Sequence, residues 1–168
     1  MYQLRTHRSF VSYIDRSRDY YAAQGYDKPY EWAHYNDVPF TPLRKPLSES
    51  RVGLVTTAEK PKLPGTVSLE ILIQREMYAE PSNPPPQSFF TDLLSWDKEA
   101  THTKDVNSFL PINQLNEYVI SGRVGSASAR FYGVPTDYSK SKTLNHYAPQ
   151  ILKWCREDDV DAVILTAL

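Results

Sequence analysis

The apolar residues of the chain fall into short runs separated by segments with helical spacing. The runs at 51–58 (RVGLVTTA), 127–134 (ASARFYGV) and 160–168 (VDAVILTAL) are bounded by polar or turn residues, which is typical of buried strands. Between the last two runs, apolar residues recur at helical spacing from Leu144 to Cys155. This alternation predicts an α/β protein with a mostly parallel open sheet, layered as in Rossmann and flavodoxin-like folds.

Proline and glycine mark the ends of the predicted helices. Pro111 suits the first turn of one helix and Gly122 its end. Pro149 interrupts the face of the next helix, where we expect a kink or a restart, and Asp158-Asp159 end it. Two further segments are candidate strands: Val67–Ile73 and Ser88–Asp97.

Residues 1–50 differ in composition from the rest of the chain. Seven of the 12 tyrosines lie in the first 35 residues. The stretch from Ser9 to Gln24 has helical spacing, with Gly25 as a C-cap, and a Pro-rich stretch with many rings follows. We predict an N-terminal helix and a packed aromatic arm over 1–50, and an α/β domain, incomplete at its C-terminus, over 51–168.

Charge and cysteine content exclude several classes of protein. The 168 residues include 19 Lys+Arg and 20 Asp+Glu, a net charge of −1, which argues against a broad cationic surface for nucleic acid or anionic lipid. No run approaches the roughly 18 apolar residues of a membrane span. The single cysteine, Cys155, cannot form an internal disulfide, so we predict a soluble protein of the reducing cytoplasm.

The candidate site residues lie at predicted strand ends and turns. Thr56 and Thr57 end the first strand, where ligands bind in open α/β sheets; the alternative is that they only form the turn. His102 follows the 88–97 segment and is either an acid, base or carboxylate binder or an exposed loop histidine.

The glycine-containing turn 122–126 offers a second type of site. Its backbone amides either bind an anion or belong to a helix C-cap that leads into a strand. We include Ser126 and the nearby Arg130 among the candidate substrate-binding residues. The four histidines lack metal-ligand spacing and Cys155 lies on an apolar helix face, so we predict no metal site and a packing role for the thiol.

The final predicted strand lacks a covering segment. An apolar strand such as Ala162-Val163-Ile164-Leu165 ordinarily needs cover on both faces. We expect either that another chain covers it or that the natural gene product continues past Leu168.

Several stretches resemble the selenoprotein B family of glycine, sarcosine, betaine and D-proline reductases. They are RVGLVTTA, FLPINQL, GRVGSASARFYG and the ending HYAPQILKWCREDDVDAVILTAL, which together extend with gaps from about Arg51 to Leu168. In that family the last strand runs into a selenocysteine or cysteine, with a second cysteine three residues later. These enzymes reductively cleave a carbon–nitrogen bond, with a dithiol as the eventual electron donor.

The resemblance implies an amino acid or related small amine as substrate and a redox pair after Leu168, with no cofactor in this chain itself. The chain departs from the family pattern there, because it has no residue 169. If that position is selenocysteine, a UGA codon read as a stop would leave this ending. Three hypotheses remain: a truncated reductase subunit, a naturally short noncatalytic subunit that acts through a partner, and an unrelated small-molecule-binding domain that closes its sheet by dimerising.

Overall fold

Strand β1 (Arg51–Thr56) lies at the centre of the sheet, and residues 52–56 are buried. The structure, a computed structural model, describes residues 16–26, 36–37, 41–59, 76–89, 104–137 and 139–167. A strand with apolar or small side chains on both faces needs a packed layer on each side, as the apolar run at 51–58 predicts.

Strand β1 has parallel neighbours on both edges. On one edge it pairs with β5 (Ala162–Thr166), from Val52 opposite Ala162 to Thr56 opposite Thr166. On the other edge it pairs first with β3 (Ser126–Ala127) and then with β4 (Arg130–Gly133). Strand β2 (Tyr78–Pro81) pairs antiparallel with β4. The fold is therefore mixed α/β with a mostly parallel sheet, as predicted.

The predicted strand at 127–134 is two short strands, β3 and β4. The backbone N–H of Ser128 donates to the Val52 carbonyl at 2.8 Å, and its hydroxyl lies 3.4 Å from the N–H of Arg130. This local bond takes the place of a continuous ladder to β1. The antiparallel strand β2 was not predicted, because its sequence, YAEP, has no apolar run.

The described helices agree with the predicted ones, although the predicted start of the first helix at Ser9 lies outside the described residues. Helix α1 covers 16–23, and Gly25 after it has φ 84°. Helix α2 (Ile112–Ile120) is followed by Gly122 with φ 71°. The predicted interruption at Pro149 is real: a short helix α3 (Lys140–Lys142) continues into a π-helical turn (Thr143–Tyr147), and helix α4 (Ala148–Glu157) has the proline in its first turn. Single-turn 3₁₀ helices cover Leu47–Glu49 and Val106–Ser108.

Helices α2 and α4 pack on opposite faces of the sheet. Alternate side chains of β1 divide between two apolar clusters: Val52 and Leu54 join Ile112 and Leu115 of α2, and Val55 joins Cys155 of α4. Strand β5 is less covered, with Val163, Ile164 and Leu165 all exposed. The core is therefore centred on β1 and β4 and thins toward β5.

The chain divides into two compact units, Met1–Phe40 and Thr41–Leu168. Most of the predicted aromatic arm, the candidate strand Val67–Ile73 and nearly all of Ser88–Asp97 lie outside the described residues. No helix in the described part of the chain is long and apolar enough to cross a membrane.

Candidate functional site

The carboxyl ends of β1 and β5 meet at the chain that enters α2. We call this region the carboxyl edge and define it by Thr56, Thr166 and Phe109. The Thr56 hydroxyl donates to the Phe109 carbonyl oxygen at 2.9 Å, and the Thr166 hydroxyl lies 2.6 Å from the same oxygen and 3.0 Å from the Val55 carbonyl oxygen. The two strand ends are thus tied to the backbone that precedes α2.

The first turn of α2 is held at this edge by short-range bonds. Pro111 occupies the N-cap position and provides no side-chain cap. Asn107 caps the helix instead, since its side-chain oxygen accepts from the N–H of Asn113 at 3.2 Å. Asp105 caps the preceding 3₁₀ turn by accepting from the N–H of Asn107. The positive end of the α2 dipole therefore lies beside the ends of β1 and β5.

Thr56 has a structural contact that its position alone did not reveal. Its side chain is fully buried, accepts the N–H of Ala58 at 3.2 Å and donates to Phe109. Thr57, the next residue, is half-buried. Of the two threonines, Thr57 is therefore the one with surface at this edge. His102 and Leu168 lie outside the described residues.

Tyr78, the first residue of β2, lies beside the carboxyl edge. Its hydroxyl donates to the Ala58 carbonyl at 2.6 Å, and burial, with the nearby Glu59 and Glu80, raises the pKa of the phenol above its ordinary value of 10.0. A Cβ at Gly133 would collide with the Tyr78 ring, so the glycine permits the close approach of β2 to β4. Tyr78 is thus a neutral hydrogen-bond donor that fixes the turn after β1.

Asp137 follows β4 at the same end of the sheet. It accepts hydrogen bonds from the Tyr147 hydroxyl at 2.7 Å and the Lys142 ammonium at 2.9 Å. Burial alone would raise the pKa of Asp137, but these two bonds lower it below the ordinary value of 3.8. The carboxylate joins the π-helical turn to the end of β4.

Arg130 and Ser126 lie at the opposite end of the sheet, which we call the amino edge and define by Arg51, Ser126, Arg130 and Asp158. The sheet register places Ser126 opposite Arg51, five residues and roughly 17 Å along the strand from Thr56, whereas Arg130 lies three residues and roughly 10 Å before Gly133, the partner of Thr56. The Ser126 hydroxyl accepts from Nε of Arg51 at 3.3 Å. The structure therefore does not bring Ser126 and Arg130 together with Thr56 and Thr57.

The guanidinium of Arg130 is engaged by acidic side chains. Its Nε and one Nη donate to the Asp158 carboxylate at 2.8 and 2.9 Å, and the same Nη contacts Glu157 at 3.1 Å. The Tyr132 hydroxyl also donates to Asp158, at 2.6 Å. Burial alone would raise the pKa of Asp158, but the bonds from Arg130 and Tyr132 lower it below 3.8. This network connects β4 to the end of α4.

The backbone amides of the 122–126 turn are occupied by bonds within the chain. Gly122 and Arg123 donate to carbonyls of α2, whereas Gly125 donates to Leu47 at 3.0 Å and Ser126 to Ser50 at 3.1 Å. A Cβ at Gly125 would lie 2.6 Å from the backbone of Glu49, so the glycine is needed for this close contact. Of the two alternatives for the turn, the structure supports the helix C-cap rather than the anion site.

Cys155 is a buried thiol, as predicted from its place on the apolar helix face. Its exposed fraction is 6%, and it packs in the cluster with Val55 and Tyr132. Burial, reinforced by the negative charge of Asp158, raises the pKa of the thiol above its ordinary value. Cys155 is therefore a packing residue and a poor nucleophile.

An apolar cavity of about 480 Å³ opens between α2 and β5. Its lining includes Val52, Leu115 and Tyr118 on the core side and Ala162 and Ile164 on the strand side. The Arg123 guanidinium lies over the Tyr118 ring at 4.5 Å at its margin. The cavity reaches the carboxyl edge at Pro111, which also lines it.

Sequence reasoning missed Thr166, Asp137 and the Asp158 network. Thr166 follows an apolar run as Thr56 does, so the strand-end pattern that singled out Thr56 would have identified it as well. Among the residues that the structure describes, no three His, Cys, Asp or Glu side chains are grouped so as to hold a metal ion. No protein-family model matches the chain, and neither a curated protein nor a solved structure matches it.

Proposed function

We propose that this chain is a component of a selenocysteine- or cysteine-dependent reductase that cleaves a carbon–nitrogen bond of an amino acid or related amine. The proposal rests on the resemblance to the selenoprotein B family. The observation that supports it best is the 2.6 Å contact between the Thr166 hydroxyl and the Phe109 carbonyl oxygen. This contact ties the end of β5 to the residues that enter α2.

A redox residue that follows β5 would leave the sheet beside the first turn of α2. A selenolate or thiolate is stabilised there, because the positive end of the α2 dipole favours negative charge and lowers the pKa of the acid form. Cys155 cannot substitute for such a residue, since it is buried in the α4 layer and its pKa is raised. Cys155 is therefore not part of the proposed redox pair, which the resemblance implies after the last strand.

The proposed reaction consumes two electrons and two protons. A dithiol is oxidised to a disulfide, the substrate C–N bond breaks, the carbon gains hydrogen and the amine leaves with the other proton. Thr57 and His102 are the proposed substrate contacts at the carboxyl edge. Thr56, fully buried and bonded to Phe109, is proposed to position the start of α2. We propose that Ser126 and Arg130 stabilise the amino edge rather than bind substrate.

The packing of the helices and the composition of the chain support the proposed fold and cellular location. Helices on both faces of the mostly parallel sheet support Rossmann or flavodoxin-like layering. The single cysteine supports a protein of the reducing cytoplasm, and the net charge of −1 argues against a broad cationic surface for nucleic acid or anionic lipid. The small-amine substrate is proposed from the resemblance.

The activity test uses the protein translated through the codons that follow Leu168, with cysteine in place of any selenocysteine. The proposal predicts dithiol-dependent reductive cleavage of one of glycine, sarcosine, betaine or D-proline, alone or with its reductase partners. The chain that ends at Leu168 is the matched control and is expected to be inactive. Cleavage at equal rates by both forms would overturn the proposal.

A second candidate is a noncatalytic α/β subunit that binds a small apolar molecule or acts through a partner chain. The cavity between α2 and β5 favours it, because most of the residues that line it are apolar. Substitution of Leu115 by Trp would fill this cavity. If such a variant lost ligand or partner binding while reductive cleavage persisted in the full protein, the two functions would be separate.

A further inference from the structure

The two outermost strands of the sheet, β2 and β5, differ in how well their outer sides are protected against pairing with another strand. Strand β2, on one edge, includes Glu80 and Pro81, and a charge and a proline both discourage the addition of a strand. Strand β5, on the other edge, has the sequence AVILT, without charge, proline or glycine. Its outer edge has no strand partner in the described ranges of the chain. Of the two outer strands β2 and β5, it is therefore β5 that lacks such protection in the described part of the chain.

The side chains of β5 are apolar on both faces of the sheet and exposed to water. Val163 and Leu165 share one face and are 37% and 76% exposed, whereas Ile164 on the other face is 44% exposed. Covering only one face would leave the other apolar face wet. A strand added to the edge contacts both faces at once and pairs the outer backbone groups.

We propose that β5 pairs with β5 of a second copy of this chain, antiparallel about a two-fold axis through Ile164. In this register Val163 lies opposite the partner's Leu165, Leu165 opposite the partner's Val163, and Ile164 opposite the partner's Ile164. Each pair is apolar, and opposite residues share a face, so the strand is complementary to itself. The proposal does not depend on the reductase function.

The charges that flank β5 select the antiparallel arrangement. Asp158, Asp159 and Asp161 cluster before the strand, and no charged residue follows Asp161. A parallel pair of β5 strands would bring the two acidic turns together, which like-charge repulsion disfavours. The two-fold antiparallel pair instead places Asp161 opposite the partner's Ala167, and the two acidic turns lie at opposite ends of the interface.

The cavity beside β5 adds to the interface. Ile164 lines it, so the partner's Ile164 would extend the apolar wall at the mouth that opens between α2 and β5. The central pair thus covers part of the apolar surface that a lone copy leaves wet. The contact patch consists of one strand and one cavity margin, for which we expect dissociation in the micromolar range.

Sedimentation equilibrium of the unmodified chain tests the association. The expected result is reversible dimerisation of the 19.3 kDa chain at micromolar concentration. Leu165→Lys should abolish the dimer, whereas Ile120→Lys, at a residue that is 86% exposed on α2, should leave it unchanged. A monomer at all concentrations, or a dimer that survives Leu165→Lys, would overturn the proposal.

Disulfide cross-linking tests the register. It uses cysteine variants, which we expect to disturb folding less than Leu165→Lys does. Opposed Cβ atoms in an antiparallel pair lie about 4.5–5.5 Å apart, close enough for a disulfide after small adjustment. Ile164→Cys should therefore cross-link to itself on mild oxidation, and Val163→Cys should link to Leu165→Cys in a mixture better than to itself. The single native thiol, Cys155, is buried and stays silent. Equal cross-linking by Ile164→Cys and Ile120→Cys would contradict the register.

Discussion

Thr56 and Thr166 lie opposite each other at the ends of β1 and β5, and both direct their hydroxyls at one carbonyl oxygen. That oxygen belongs to Phe109, which is buried itself. A buried carbonyl with two donors holds the entry to α2 against both strands. This pair of bonds is the geometric basis of the proposed site.

The two threonines should act on stability as a coupled pair. Thr56→Val keeps the shape of a fully buried side chain and removes its donor, so we expect a loss of about 1–3 kcal/mol in the free energy of unfolding. Thr166→Val should cost less, because Thr166 is only half-buried and, unlike Thr56, does not also accept the N–H of Ala58. In the double variant the carbonyl loses both donors, so the combined loss should exceed the sum of the single losses. Urea unfolding of the four proteins measures this coupling, and Thr166→Ser is the control that keeps the hydroxyl. Strict additivity would show that the two bonds are independent.

The carboxylate of Asp158 should contribute far more to stability than that of Glu157. Asp158→Asn weakens both bonds to Arg130 and the bond from the Tyr132 hydroxyl, and its side chain is only 13% exposed. We expect a loss of about 1–3 kcal/mol. Glu157→Gln removes a 44% exposed carboxylate that contacts the same guanidinium, and it should cost less than about 1 kcal/mol. Equal losses for the two variants in thermal or urea unfolding would refute this ranking.

Acid should destabilise the fold through Asp158 and Asp137. The pKa of each carboxyl is lower in the folded protein than its ordinary value of 3.8, owing to hydrogen bonds that outweigh the effect of burial. Their contribution is fully present above pH 3.8 and is lost as the pH falls through the lower folded values. A urea midpoint measured from pH 6 downward should decline below about pH 4, and less steeply in Asp158→Asn. An acid limb of unchanged slope in the variant would rule out Asp158 as a source.

Alkali should destabilise the fold through Tyr78 and Tyr132. Burial is the main reason that the pKa of each phenol is raised above 10.0 in the folded state. The stability linked to these groups is present below pH 10 and declines as the pH rises, because the unfolded chain ionises first. Ultraviolet titration should show phenols that ionise only with unfolding. Tyr132→Phe should remove one of them, and an unchanged count would contradict the assignment.

Cys155 should be inert in the native protein. The thiol is 6% exposed and its pKa is raised by burial, so a thiol reagent should modify it only as fast as the chain opens. Denaturant should restore rapid labelling, which serves as the internal control. Rapid modification of the folded chain would show that the α4 layer is open at this point.

His102 and Thr57 should matter for turnover in the full-length protein and little for its stability. His102→Ala and Thr57→Ala are each expected to lower turnover by about tenfold or more, as the loss of an acid–base group or a substrate hydrogen bond does. Their melting temperatures should change little. Unchanged kinetics in both variants would remove these residues from the site.

The sequence predicted the elements whose pattern is local. The apolar run of β1, the run of β5 and the helical spacing around Leu115 identify their elements because side-chain periodicity follows backbone geometry. Strand β2 could not be predicted in this way. Its strand state depends on pairing with β4 and on a tyrosine that fits over Gly133, and these contacts join residues distant in sequence.

Position along a strand does not tell whether a polar side chain points to the surface or into the protein. The strand-end pattern places Thr56 at the carboxyl edge, yet its hydroxyl turns inward to Phe109. Arg130 has an acidic partner 28 residues away, Asp158, which no local pattern connects to it. Tertiary contacts decide which polar side chains are already engaged and which have surface for a ligand.

The most direct test of the reductase proposal is mass spectrometry of the native protein from its source organism. If the reductase proposal holds, the intact mass exceeds 19.3 kDa. The proposal also predicts a peptide in which selenocysteine or cysteine follows the β5 segment, with a second cysteine three residues later. A native protein of 19.3 kDa whose C-terminal residue is Leu168 would contradict the account.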